Sequence, residues 1–145
     1  MDQRIVYHLE DGSLAVLIPS LDCGLTIEEI AAKDVPDGVS HQVVKAEAIP
    51  TDRLFRNAWA LRAKKVVVDV EQAKEIAHGM RRQQRDEQLA PHDAVMAKRI
   101  PGVDLEAVEA ERQAIRERNA VTQRAIDAAG TVEQLKALVE PTAEG

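Results

Sequence analysis

The chain holds four histidines, one cysteine and three serines, the side chains a metal site or a nucleophilic centre would draw on. His8, His41, His78 and His92 form no His-x-His or His-x-x-x-His pair, the spacing that brings two imidazoles to one ion on a strand or helix. His92 and Asp93 are adjacent, and adjacent helix residues do not face one site. Ser13, Ser20 and Ser40 fall in turn contexts, and none sits in a Gly-x-Ser-x-Gly elbow. Cys23 stands beside Asp22, whose charge raises rather than lowers a thiol pKa. The glycines are scattered singly, so no Gly-rich loop opens a helix to cradle phosphate. Glu28–Glu29 and Glu109–Glu111 suit capped, solvated helices. The expectation is a chain that is not an enzyme, with no catalytic residue, cofactor or metal.

Binding chemistry is concentrated elsewhere. The segment IPTDRLFRNAWAL, residues 49–61, carries the chain's one Phe and one Trp. Phe55 and Trp59 are four apart, among Asp52, Arg53, Arg56 and Asn57. They can anchor the core of the first half. Trp, Phe and Arg are also the residues enriched at the energetic centre of interfaces. Asp52, Arg53, Phe55, Arg56, Asn57 and Trp59 are therefore the candidate partner-binding residues. MRRQQRDEQL, residues 80–89, is the only stretch resembling a nucleic-acid patch. It lacks interleaved aromatics and mixes acids with bases. Arg82 and Asp86 there form an i,i+4 pair typical of a helix surface.

These residues need a scaffold, and the totals describe a thin one. The 145 residues suit a single domain by length, with 45% hydrophobic but only 2% aromatic residues. Large apolar side chains supply most of the burial free energy, roughly 1.5–3 kcal/mol each. A chain so poor in them builds long helices on Ala, Leu and Ile, or completes its core with a partner. The net charge of −6 argues against nucleic-acid or membrane-surface binding. Only the stretch 61–100 is basic, with Arg62, Lys64, Lys65, Arg81, Arg82, Arg85, Lys98 and Arg99; it reads mainly as a solvated helix face. A lone cysteine fits a reducing compartment. No signal peptide opens the chain and no membrane-length apolar run follows, so it is expected to be soluble and not secreted.

The spacing predicts a hairpin over 3–18, with Asp11–Gly12 as a two-residue turn and Pro19 ending the second strand. A short helix follows Thr26, which with Glu29 makes a capping box, and Val35–Gly38 stops it. His41–Ile49 reads as a strand. Arg53–Leu61 can form two helical turns that put Phe55 and Trp59 on one side. Lys64–Val70 is open between a strand and an extended segment leading into a helix, and the second is favoured. Apolar residues at 70, 73, 76, 77 and 80 have helical spacing. Pro91 suits the first position of a new helix, and Pro101–Gly102 is a break. Asp104 can cap a long helix ended by Gly130. Its stripe is Leu105, Val108, Ile115, Thr122, Ile126 and Ala129, interrupted by Arg112 and Asn119. Thr131 with Gln134 caps a last short helix, and a frayed tail begins at Pro141. The expected fold is α+β. A small N-terminal β-rich docking unit, 1–68 (hairpin plus strand with short helices), precedes a C-terminal long-helix antiparallel hairpin, 69–145.

IPTDRLFRNAW resembles the Ile-Pro-x-Asp-Arg-x-Phe-Arg-Asn-Ala-Trp signature of small tail-associated proteins encoded by tailed bacteriophages and prophages. RIVYHLEDGSLAVLIP and LTIEEIAAKDVPDG before it are similar too, so the likeness spans roughly residues 4–60. Leu54 departs from the Thr frequent at that place. RRQQRDEQLAPHD and the long helix after it resemble the Arg-rich helix and helical hairpin of such proteins. The resemblance implies a structural protein of the virion tail, made in the host bacterial cytoplasm. It would attach or brace tail or tail-fibre proteins, in multiple copies or as a homo-oligomer. The alternative is a tail or tail-fibre assembly chaperone absent from the mature particle.

Overall fold

The computed structural model describes residues 2–20 and 22–140; the tail expected from Pro141 lies outside them. The fold is mixed α+β, with antiparallel strands first and four α-helices, two of them long. The chain divides between Asp69 and Val70 into two compact units.

In the first unit β1 (Gln3–His8) lies between β2 (Leu14–Leu17) and β3 (His41–Lys45), antiparallel to both. The β1–β2 turn differs from the expected two-residue form. Leu9 N–H donates to Ser13 O and Gly12 N–H to Leu9 O, enclosing three residues. Only Gly12 takes a positive φ, 85°, whereas a two-residue type I′ turn needs two such residues. The Asp11 carboxylate instead accepts the Ser13 N–H and hydroxyl, which holds its pKa below the ordinary value. β3 also ends earlier than expected, at Lys45, and Ala46–Ala48 form a 3₁₀ turn.

Strand alternation sends successive β1 residues to opposite faces. Ile5 packs with Ile30, Ala31 and Val35, which belong to α1 (Ile27–Asp34) and the turn after it. The expected Thr26/Glu29 capping box starts α1, satisfying donors at both ends of the box. Val6 faces the other way, with Leu14 and Val44, onto Trp59 and Val66. Those two residues belong to a second sheet, β4 (Trp59–Arg62) paired antiparallel with β5 (Lys65–Val68). Lys64–Val70 is therefore mostly a paired strand rather than an extended lead into a helix. Arg62 pairs with Lys65, leaving Ala63–Lys64 as the turn. Both have positive φ, 51° and 62°, without being glycine.

The second unit begins with α2 (Val70–Lys98), which runs through Pro91 without starting a new helix there. An interior proline removes one N–H and crowds the carbonyl a turn earlier; α2 continues through it while packed along α3. Arg99, with φ 48°, and Gly102, with φ 89°, reverse the chain at the expected Pro101–Gly102 break. Asp104 caps α3 (Leu105–Ala128) by accepting the Ala107 N–H. The Thr131/Gln134 capping box opens α4 (Val132–Val139), whose Leu135 and Val139 are buried. Ile115, Ile126 and Ala129 of the expected α3 stripe are buried as well.

Arg112 and Asn119, which break that stripe, carry polar ties across the helix pair. Arg112 donates to Asp93 at 2.8 Å. Asn119 accepts from Arg81 at 2.6 Å and donates to the Arg81 carbonyl at 3.3 Å. Glu109 is bonded by Arg112 and Arg116, which lower its pKa.

Two outcomes are expected. Ala63→Gly, measured by denaturant unfolding, should stabilise the chain by about 1 kcal/mol, because a left-handed conformation costs an L-residue roughly 1–2 kcal/mol. Glu109→Gln should lower the melting temperature at pH 7. With its folded-state pKa depressed, Glu109 contributes stability that is present above its unfolded value and lost as pH falls through the folded one. Wild type and variant should therefore converge in acid.

Candidate functional site

The 49–61 segment is built as a turn, a 3₁₀ turn and a strand, not as two helical turns. The Asp52 carboxylate accepts the Leu54 N–H at 3.0 Å, an Asx turn that bends the chain after Pro50. Arg56 N–H then donates to Arg53 O at 3.1 Å and Ala58 N–H to Phe55 O at 2.9 Å, winding Arg56–Ala58 into one 3₁₀ turn. Trp59 opens β4 opposite Val68, and Asp69 N–H donates to Ala58 O at 2.8 Å. Cross-strand pairing captures residues that helical spacing alone would assign to a helix.

Phe55 is 3% exposed and Trp59 4% exposed, so both rings point inward. Arg53, Arg56 and Asn57 are exposed. The Arg56 guanidinium lies 5.9 Å from the centroid of the Trp59 ring, near the outer limit of cation–π attraction. The six candidate residues thus come together in one short stretch and divide by role. Phe55 and Trp59 are buried, Asp52 shapes the turn, and Arg53, Arg56 and Asn57 offer donors to solvent. Burial of residues 55 and 59 restricts the backbone between them, so a partner meets Arg56 and Asn57 with less ordering entropy to supply. Among the described residues the Trp59 indole Nε1 is the one buried side-chain N or O atom without a hydrogen-bond partner.

The remaining candidates fall apart. Among the described residues no group of three or more His, Cys, Asp or Glu side chains is placed to hold a metal ion, and no helix is long and apolar enough to cross a membrane. Cys23 is exposed, its thiol on the Ser20 carbonyl. Asp86 pairs with Arg85 at 3.0 Å rather than with Arg82 as expected.

Sequence reasoning missed Arg81, which it placed on a solvated basic face. It is 6% exposed. Its Nε donates to His78 Nδ1 at 3.3 Å, so His78 Nε2 carries the proton that reaches Asp127 at 2.8 Å. Lys74 donates to the Asp127 carbonyl at 3.1 Å. Burial lowers the Arg81 pKa, as do Arg82 and Arg85, while Asp127 opposes them. A signal was present: Arg81 continues the i,i+4 series of buried Ala73 and Ala77. This network ties α2 to α3.

Comparison with protein-family models, with curated proteins and with solved structures finds no match.

Trp59→Ala should cost about 3–5 kcal/mol in denaturant unfolding, as large-to-small changes in packed cores do. Trp59→Phe should cost much less, since it keeps an inward ring and removes the unpartnered N–H. Arg56→Ala should change stability by less than about 1 kcal/mol, the scale of an exposed cation–π contact.

Proposed function

We propose that this chain is a non-enzymatic structural protein of a tailed-phage virion that docks to tail or tail-fibre proteins and braces or attaches them. The setting rests on the resemblance of the Ile49–Trp59 segment. The docking role rests on one observation: Arg53, Arg56 and Asn57 are exposed beside two buried rings, with Arg56 over the Trp59 ring. Arginine on a rigid base suits a carboxylate-bearing protein surface, because its planar fork makes two parallel hydrogen bonds.

In this reading the helical unit supplies a second contact, through which multiple copies of the chain associate. Among the described residues none from Arg82 to Ala114 is fully buried. Ile100, Val103 and Leu105 remain exposed around the turn between α2 and α3. Asp104, Glu106, Glu109 and Glu111 make the start of α3 acidic, and Arg112, Arg116 and Arg118 make the next turns basic. Two copies of α3 laid antiparallel would set opposite charges together along the under-filled stripe. The same exposed apolar turn favours a second reading, an assembly chaperone that covers sticky partners and leaves the finished particle.

The test is an assembly assay with Arg53→Ala/Arg56→Ala. The variant should keep its melting temperature within a few degrees and lose incorporation into tails or binding to tail proteins by roughly tenfold or more, as loss of interface arginines does. Unchanged incorporation would sink the docking role.

A further inference from the structure

A second surface of the first unit has no part in that docking role. Between the three-stranded sheet and the β4–β5 turn lies an open cleft of about 420 Å³. Val6 and Leu61 form its apolar floor, and His8, Ser40, Gln42 and Lys64 stand around it. All four are hydrogen-bond donors: a hydroxyl, an amide, an ammonium, and an imidazole that keeps at least one N–H in either charge state. His41 also lines the cleft, and among the described residues no Asp or Glu does. That is unusual in this chain, where acidic residues outnumber basic ones, 25 to 19.

Lys64 reaches this rim on a turn that its own residue type disfavours. A two-residue turn with positive φ at both positions selects Asn-Gly or Gly-Gly, yet Ala63 and Lys64 occupy it at 51° and 62°. Strain of this kind is retained where the surroundings over-determine it, and it clusters at ligand-binding positions. A glycine there would relax the turn and would remove the only primary ammonium at the cleft.

We propose that the cleft is an oxyanion-binding site. It takes a phosphate or carboxylate group among His8, Ser40, Gln42 and Lys64, and the apolar part of the ligand rests on Leu61. Charge-assisted hydrogen bonds from Lys64 supply the attraction, and the neutral donors fix the orientation. The group has two sources: free inorganic phosphate, or the terminal carboxylate of a peptide.

Amide chemical shifts of the full chain, recorded during titration, decide it. The probes are inorganic phosphate, a short peptide ending in a free carboxylate, and the same peptide amidated. Phosphate or the free-acid peptide should give saturable shifts at Val6, Ser40, Gln42 and Lys64, and the amidated peptide none. Saturation by phosphate alone would assign the free ion, and saturation by the free-acid peptide a chain end. Lys64→Gly should weaken binding about tenfold while raising the melting temperature, so the loss cannot come from unfolding. Ala63→Gly relieves the same turn and keeps the ammonium, and it should bind as wild type does. The proposal is overturned if neither probe saturates by about 10 mM, well above a ~1 mM dissociation constant. Equal shifts from the amidated peptide, or full binding by Lys64→Gly, would overturn it too.

Discussion

Burial of one indole organises the first unit. Trp59 packs with Val6, Leu14 and Val44 of the three-stranded sheet and with Val66 of its own two-stranded sheet. Two strands alone are marginal in water, so β4–β5 depends on that contact. The position of the Ala63–Lys64 turn, and of the cleft it borders, depends on it in turn. The backbone of the preceding turn is fixed from the same place, since Phe55 is buried four residues earlier and Arg56 lies over the Trp59 ring. A chain with 2% aromatic residues has little choice about where to spend them. Here they hold a small β unit together and leave polar groups of the same segment facing outward.

The second unit answers the shortage of large side chains differently. The buried face of α2 carries the small Ala73 and Ala77, and the next position in that series is Arg81. Its guanidinium finds Asn119 on α3 and His78 on its own helix. A buried charge is tolerable only when its donors are met, so Arg81 sets the register of α2 against α3 as much as it adds stability. Toward the Pro101–Gly102 turn the helix pair relies on Asp93–Arg112 and on half-buried residues. That end is the part of the unit with most to gain from a neighbour.

Signals that act within a few residues were legible in the sequence. Thr26 with Glu29, Thr131 with Gln134, and Asp104 before its helix are capping patterns whose partners lie three residues away, and all three form. Pairing across the chain was not legible in the same way. Phe55 and Trp59 have helical spacing, but Trp59 finds Val68 as a strand partner nine residues on. The helical reading fails because it considers only neighbours. Whether Lys64–Val70 is a strand stayed open for the same reason. Asp11–Gly12 marked a turn correctly, but turn length follows from hydrogen bonds that the dipeptide does not specify. Pro91 looked like a start because proline propensity is local, whereas the continuity of α2 is a matter of packing. At the candidate site, the grouping of the six residues was readable. That Phe55 and Trp59 anchor the core was one of the sequence readings, and both are buried; that Trp59 does so from a strand was not legible, because it depends on which face of β4 meets the first sheet.

A scaffold that buries its aromatics, exposes arginines beside them and leaves one end of a helix pair under-filled suits a protein that works by being held between others. On the proposed role, the chain is a built-in part of a phage tail. Quantitative mass spectrometry of purified tailed particles from a strain carrying the gene is the decisive measurement. The chain is expected in the particles at a fixed small-integer ratio to the other tail proteins. Its absence from particles while abundant in the same lysate would contradict a structural role in the virion.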